Sequence, residues 1–172
     1  MDHSYPIGKF EFSGEITSSV IKNWISDIEE LPRLVRDAVK HLDQNQLDTP
    51  YRIGGWTIRQ VIHHLADSHM NAYVRFKLAL TENNPVIKPY EEAEWAELSD
   101  YKLPIDISLT LLDALHARWT SLLHSLQPTD MDKLFTHPDS GEVSVGENIG
   151  IYAWHGRHHL AHITSLCGQK GW

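Results

Sequence analysis

Four stretches of this chain carry mostly apolar residues that recur three, four or seven apart, and that spacing demands amphipathic helices. The first stripe holds Ile21, Trp24, Ile28, Leu31, Val35, Ala38 and Leu42. The second holds Ile58, Ile62, Leu65, Ala72, Phe76 and Leu80, and the third Leu112, Leu115, Trp119, Leu122 and Leu126. The fourth runs through Val145, Ile149, Tyr152, Gly156, His159, Ile163 and Leu166. Each stripe has to be buried against the others, so the chain is expected to be all-α, a four-helix bundle.

Local signals set the helix ends. Pro32 lies inside the first stripe and deletes a backbone donor, which predicts a kink or a break near Leu31. Thr57 and Gln60 form a capping-box pattern, with Trp56 and Val61 placed as a hydrophobic staple, so the second helix starts there and ends before Asn83, Asn84 and Pro85. From Glu82 to Pro104 the chain is a long connection holding three prolines, with a short acidic helix over 91–98. Connections of that length commonly serve as functional or oligomeric surfaces. The third helix reads from about Asp106 to just before Pro128. LFTHPDSGEVSV then predicts a small hairpin or irregular loop turning at 138–141, and Ser144 with Glu147 makes a second capping-box pattern at the start of the fourth helix.

At 172 residues, with no internal repeat and no Gly/Ser-rich linker, one domain spanning 1–172 is expected. Fifteen Lys and Arg against 23 Asp and Glu give a formal charge of −8, which repels a phosphate backbone and argues against nucleic acid as a partner. No stretch approaches the roughly 20 apolar residues of a membrane span, and the first fifteen lack a leader-peptide pattern. Cys167 is the single cysteine, which rules out an internal disulfide and suits a reducing cytoplasm. A lone thiol in an apolar helix reads as inert core, as do Trp24 and Trp119 on their stripes.

Histidine is over-represented, at 12 residues, and seven lie in two windows, His63 to His69 and His155 to His162. On a helix of 3.6 residues per turn, His155 and His159 point side by side and form a bidentate clamp beside the apolar stripe. His158 and His162 make a parallel pair turned further from it. The competing explanation, that all of these are core-edge histidines bonded to backbone or to each other, weakens for a pair four apart with a second cluster elsewhere. A third ligand should come from the second helix, where His63, His64, Asp67 and His69 compete. Helical angles put His69 nearest the stripe centre, His64 at its edge, and His63 and Asp67 outward; His69 also reads as a satisfied core residue, and periodicity leaves the choice open. Gly156 removes a side chain where another helix or a ligand must approach. It also stands where a zincin helix needs its glutamate, which argues against that protease class, and no GxSxG, Walker A or GxGxxG pattern is present.

The segments GGWTIRQVIHHLADSHMNAYVRFKL and YAWHGRHHLAHI resemble the signature regions of the DinB/YfiT-like superfamily, in its YfiT branch. The likeness extends over SYPIG, LDTPYR, NPVIKPYEEAEW and the C-terminal GW. It implies a four-helix bundle holding one divalent metal ion, zinc or nickel, by one histidine of the second helix and a pair four apart on the last. Those positions fall here on His64, His155 and His159. Many relatives carry Gln where this chain has His162. The resemblance also implies a homodimer, and either a metal-dependent hydrolase or a transferase acting on a low-molecular-weight thiol of the bacillithiol type.

Three neutral imidazoles leave a coordination position open, which is the arrangement of a catalytic rather than a structural site. A hydrolase would use that position for an activated water on a small-molecule substrate, with Asp67 as the one nearby carboxylate able to act as base. A transferase would hold a thiolate there, and Arg59 or Arg157 would bind a carboxylate of the thiol. A third reading is a non-catalytic metal-binding stress module.

Overall fold

The computed structural model describes residues 4–172. Residues 1–3, which the single-domain and leader-peptide expectations include, lie outside the described residues. In chain order the elements are α1 (Ser18–Val39), α2 (Gln44–Leu47), α3 (Ile58–Thr81), α4 (Glu92–Trp95), α5 (Ile105–His124), β1 (Leu134–His137), β2 (Gly141–Ser144) and α6 (Val145–Lys170). Short 3₁₀ turns cover Ser99–Lys102 and Pro128–Asp130. The four stripes of the sequence become α1, α3, α5 and α6, and the fold is a four-helix bundle.

The helices start where capping chemistry allows. Thr17 caps α1 by accepting from Val20 N, and Thr57 and Gln60 close a full capping box on α3. Ser144 accepts from Glu147 N at the start of α6, which is the forward half of the second box. One short helix, α2, was not anticipated; Asp43 and Gln46 form a capping box of their own there. The acidic segment of the long connection is helical only over Glu92–Trp95, followed by the 3₁₀ turn. The hairpin is present, antiparallel, with Leu134 opposite Ser144 and His137 opposite Gly141.

Of the kink or break expected near Leu31, the break does not occur. Helix α1 runs through Pro32 without interruption, and Pro32 is buried in the core face. Proline cannot bond the carbonyl four residues earlier, that of Ile28. His116 of α5 takes the place of the missing donor, giving its Nδ1–H to the Ile28 oxygen at 2.7 Å. The lost helical bond therefore leaves no orphaned carbonyl.

Helix α1 packs against α5 and α6, and α3 packs against the same two, so α1 and α3 sit on one diagonal of the bundle. Directions follow from the side chains that meet. Trp24 and Leu31 of α1 press on Gly150 and Gly156 of α6 in the same order, so these helices are parallel. His63 and His69 of α3 meet Ser108 and His116 of α5, again in the same order. By contrast His64 and Arg75 of α3 meet His155 and Tyr152 of α6 in reverse. Each helix thus has one parallel and one antiparallel neighbour. A helix of 24 residues is about 36 Å long, so joining the parallel pair α3 and α5 requires a chain that returns the full length of the bundle. The connection over 82–104 does this, pairing first with the hairpin through Ile87 N and the Thr136 carbonyl at 3.0 Å.

The core divides in two. One apolar cluster gathers Ile21, Trp24, Ile28, Phe76, Trp119 and Ile149, and the other gathers Leu31, Val35, Ile62, Leu65, Leu112 and Ile163. On α3, α5 and α6 the boundary between them is marked by His69, His116, His155 and His159, with His64 one turn inside the second cluster. A layer of imidazoles crosses the bundle between two blocks of hydrocarbon.

Candidate metal centre

His64 projects from the second turn of α3, and His155 and His159 project from adjacent turns of α6. Because α3 and α6 run antiparallel and touch at this level, the three rings converge. Each offers a nitrogen, and the three nitrogens lie within 4.8 Å of one another. His64 Nε2 stands 3.4 Å from His155 Nε2. Two ligands bound to one tetrahedral zinc ion at 2.0–2.1 Å are about 3.4 Å apart, so this separation suits a shared cation. It is long for a hydrogen bond between two ring nitrogens.

Burial keeps these rings uncharged. It holds His64 at about 4, with the neighbouring His158 adding to the effect, and holds His155 and His159 well below the ordinary histidine range. A neutral imidazole retains the lone pair a metal requires, so no proton has to be driven off near neutral pH. The donor set of three imidazole nitrogens suits zinc or nickel better than a hard cation such as magnesium. His64 Nδ1 is buried without a hydrogen-bond partner among the described residues. Its ring is held instead by Trp56, at 4.6 Å between centroids, and Trp56 also stacks along His159.

The other histidines occupy positions that helical angles alone did not resolve. His63 points to the far side of α3, between Ser108 at 2.7 Å and the Leu103 carbonyl at 3.1 Å, and takes no part in the cluster. His69 is fully buried, with Nε2 3.1 Å from His155 Nδ1 and Nδ1 2.8 Å from His116 Nε2. His116 was not singled out from the sequence; its place on the third helix, away from both windows, gave no signal. His158 and His162, expected to turn away from the core, are buried because other chain segments cover them. Tyr5 lies against His158, and Tyr51 stacks on His162 at 4.0 Å. His162 Nδ1 lies 3.4 Å from His159 Nδ1, and its Nε2 the same distance from the Ser4 carbonyl. His158, His159 and His162 make a second converging group that shares His159 with the first.

Asp67 stands apart from the three nitrogens. Tyr101 donates to its Oδ2 at 2.7 Å, on the side of the long connection, and burial raises its carboxyl above the usual range. The two arginines considered for substrate binding are engaged. Arg59 bonds Asp48, Gln44 and the Leu103 carbonyl, and Arg157 pairs with Asp27 at 2.9 Å. Arg59 also lines a cavity of about 660 Å³ with Gln44, Gln60 and Tyr101, which none of the three clustered histidines reaches. Gly156, between the two histidines of α6, serves helix packing, since a Cβ there would lie 2.6 Å from Leu31 Cδ2. No helix is long and apolar enough to cross a membrane among the described residues.

Known proteins are similar to this chain along its whole length. YfiT from Bacillus subtilis, whose structure is described as a probable metal-dependent hydrolase with an unusual four-helix bundle topology, superposes with a TM-score of 0.97 at 48% identity, covering 100% of this chain and 99% of that one. A relative from Oceanobacillus iheyensis, provisionally named a metal-dependent hydrolase, is 67% identical over 100% of both chains. Another from Bacillus mycoides, with the same provisional name, is 61% identical over 99% of each. The DinB superfamily model matches residues 27–163, a span that takes in α3 and α5 whole, parts of α1 and α6, and the histidine layer. The chain belongs to the DinB superfamily.

Proposed function

We propose that this protein is a metal-dependent hydrolase in which His64, His155 and His159 hold one divalent ion, zinc or nickel, for work on a small-molecule substrate. The convergence of the three nitrogens, with the 3.4 Å spacing of the Nε2 atoms of His64 and His155, carries the reading. The provisional names of the relatives from Oceanobacillus and Bacillus support it. Bound at such a site, the ion supplies a Lewis acid and lowers the pKa of a coordinated water to about 7.

The protein's own groups have three tasks. The histidines present lone pairs in fixed directions, because burial in the helix layer leaves them few alternatives. Trp56 covers one side of His64 and His159, which keeps bulk water from that face and lowers the local dielectric. Asp67, one turn from His64 in sequence but held by Tyr101 on the side of the long connection, would have to leave that bond to serve as base, a role that Asp67→Asn tests. The reading includes a homodimer, as the YfiT resemblance implies.

The test is turnover of a panel of small esters and amides by zinc- and nickel-loaded protein, in parallel with thiol-plus-electrophile pairs. Hydrolysis that disappears in His159→Ala supports the proposal, and a fall in Asp67→Asn identifies the base. Thiol conjugation without hydrolysis would replace it with the transferase, and no turnover of either panel with metal bound would replace it with a non-catalytic module.

A further inference from the structure

We propose that His116 and His69 act as positioning residues for the metal centre, forming a chain of imidazoles that fixes His155 in its Nδ1–H form and so turns a bare Nε2 into the site. The inference rests on the reading of His155 as a ligand, and it extends that reading into the bundle as far as α1.

The hydrogen bonds fix the protons one ring after another. A neutral imidazole has one N–H and one lone pair, so fixing the role of either nitrogen fixes the other. The Ile28 carbonyl can only accept, and Pro32 leaves it without its helical donor. His116 Nδ1, 2.7 Å away, must therefore carry the proton. Its Nε2 is then an acceptor, and the atom facing it at 2.8 Å, His69 Nδ1, must donate. His69 Nε2 is left as an acceptor in turn, and His155 Nδ1, at 3.1 Å, must donate to it. That assigns the remaining lone pair of His155 to Nε2, the atom 3.4 Å from His64 Nε2. Every link has a single solution once the first is set.

The surroundings keep the chain uncharged. His69 is 0% exposed and His116 2%, and the polar atoms within hydrogen-bond distance of their ring nitrogens are those of other imidazoles and one carbonyl. Trp119 and Tyr152 pack edge-on against the His69 ring. Metal-ligating histidines ordinarily donate their second N–H to a carboxylate, a carbonyl or water. Here the carbonyl lies two rings further away, on a different helix, and the rings transmit its demand for a proton.

A merely structural role for His69 would ask only that the cavity be filled. Glutamine, whose amide both accepts and donates, can replace His69 in the chain, whereas leucine fills the space and breaks it. The test has two parts. The first is ¹⁵N NMR of histidine-labelled, metal-free wild type, with His155 assigned by its loss in His155→Ala; the chain requires Nδ1–H and a bare Nε2. The second is zinc affinity by competition with a chromophoric chelator. His69→Leu should bind zinc about 10- to 100-fold more weakly, the range found for outer partners of ligating histidines, and His69→Gln should recover most of the loss. His116→Leu checks the far end of the chain in the same way.

An Nε2–H form of His155 in wild type would overturn the proposal. So would zinc affinity that is unchanged in a folded His69→Leu. Wild type that shows the required tautomer but binds no zinc would support the proton chain and overturn the ligand reading on which its purpose rests. The two failures are therefore distinguishable.

Discussion

The Nδ1–H of His116 reaches across the bundle to the carbonyl of Ile28 at 2.7 Å, and that carbonyl is available because Pro32 has no N–H to offer it. A residue that looks like a defect in α1 is thereby connected to the candidate metal centre. Replacing Pro32 with Ala would restore the helical donor and make it compete with His116 for one oxygen. The helix should gain, because proline is about 3 kcal/mol worse than alanine in a helix interior, and the melting temperature should rise. Zinc affinity should fall all the same, by less than tenfold, since a carbonyl with two lone pairs can serve both donors in part. A melting scan and a chelator competition on the same sample check the two opposite signs.

Gly156 sets how closely α1 approaches α6. An added Cβ would lie 2.6 Å from Leu31 Cδ2, in a core where Leu31 is almost completely buried. Overpacking of this kind costs about 1–3 kcal/mol, against a gain of about 1 kcal/mol from the better helix propensity of alanine. Gly156→Ala should therefore lose up to about 2 kcal/mol in urea unfolding. Leu31→Ala should cost less in that background than in wild type, because it removes the clashing atoms. Additive costs in the double-mutant cycle would show that the two residues do not press on each other.

Acid should destabilise the metal-free protein in a defined window. Burial holds His64, His116 and His162 at about 4, while an unfolded chain titrates its histidines near 6.5. Between those values the unfolded state binds more protons than the folded one, so stability is full above about pH 6.5 and falls as pH drops toward 4. Urea midpoints measured from pH 7.5 to 4 should decline most steeply there. Zinc should raise the midpoint at pH 7 and lose that effect across the same window, because protons and metal compete for the ring nitrogens.

Much of this was legible in the sequence, for physical reasons that differ by element. The stripes of α1, α3, α5 and α6 follow from a period that only a helix satisfies, and the Thr57 capping box is a local chemical device. Pairing of His155 with His159 follows from the same period. Choosing between His64 and His69 did not, because angles on a single helix cannot say which neighbour lies opposite; the resemblance supplied His64, and both residues come to face His155, His64 at Nε2 and His69 at Nδ1. His116 stayed hidden because its role depends on a carbonyl in another helix, released by a proline 84 positions earlier. Burial of His158 and His162 was equally out of reach, since it comes from Tyr5 and Tyr51, which no periodicity joins to α6.

The central claim is that three histidines from two helices hold one metal ion, and metal content per chain measures it directly. Untagged wild type, His64→Ala, His155→Ala, His159→Ala and His63→Ala should be loaded with zinc or nickel, desalted and assayed by mass spectrometry. The account predicts about one ion per chain in wild type and in His63→Ala, and loss of the ion in the other three. Equal metal in all five, or none in properly folded wild type, would contradict it.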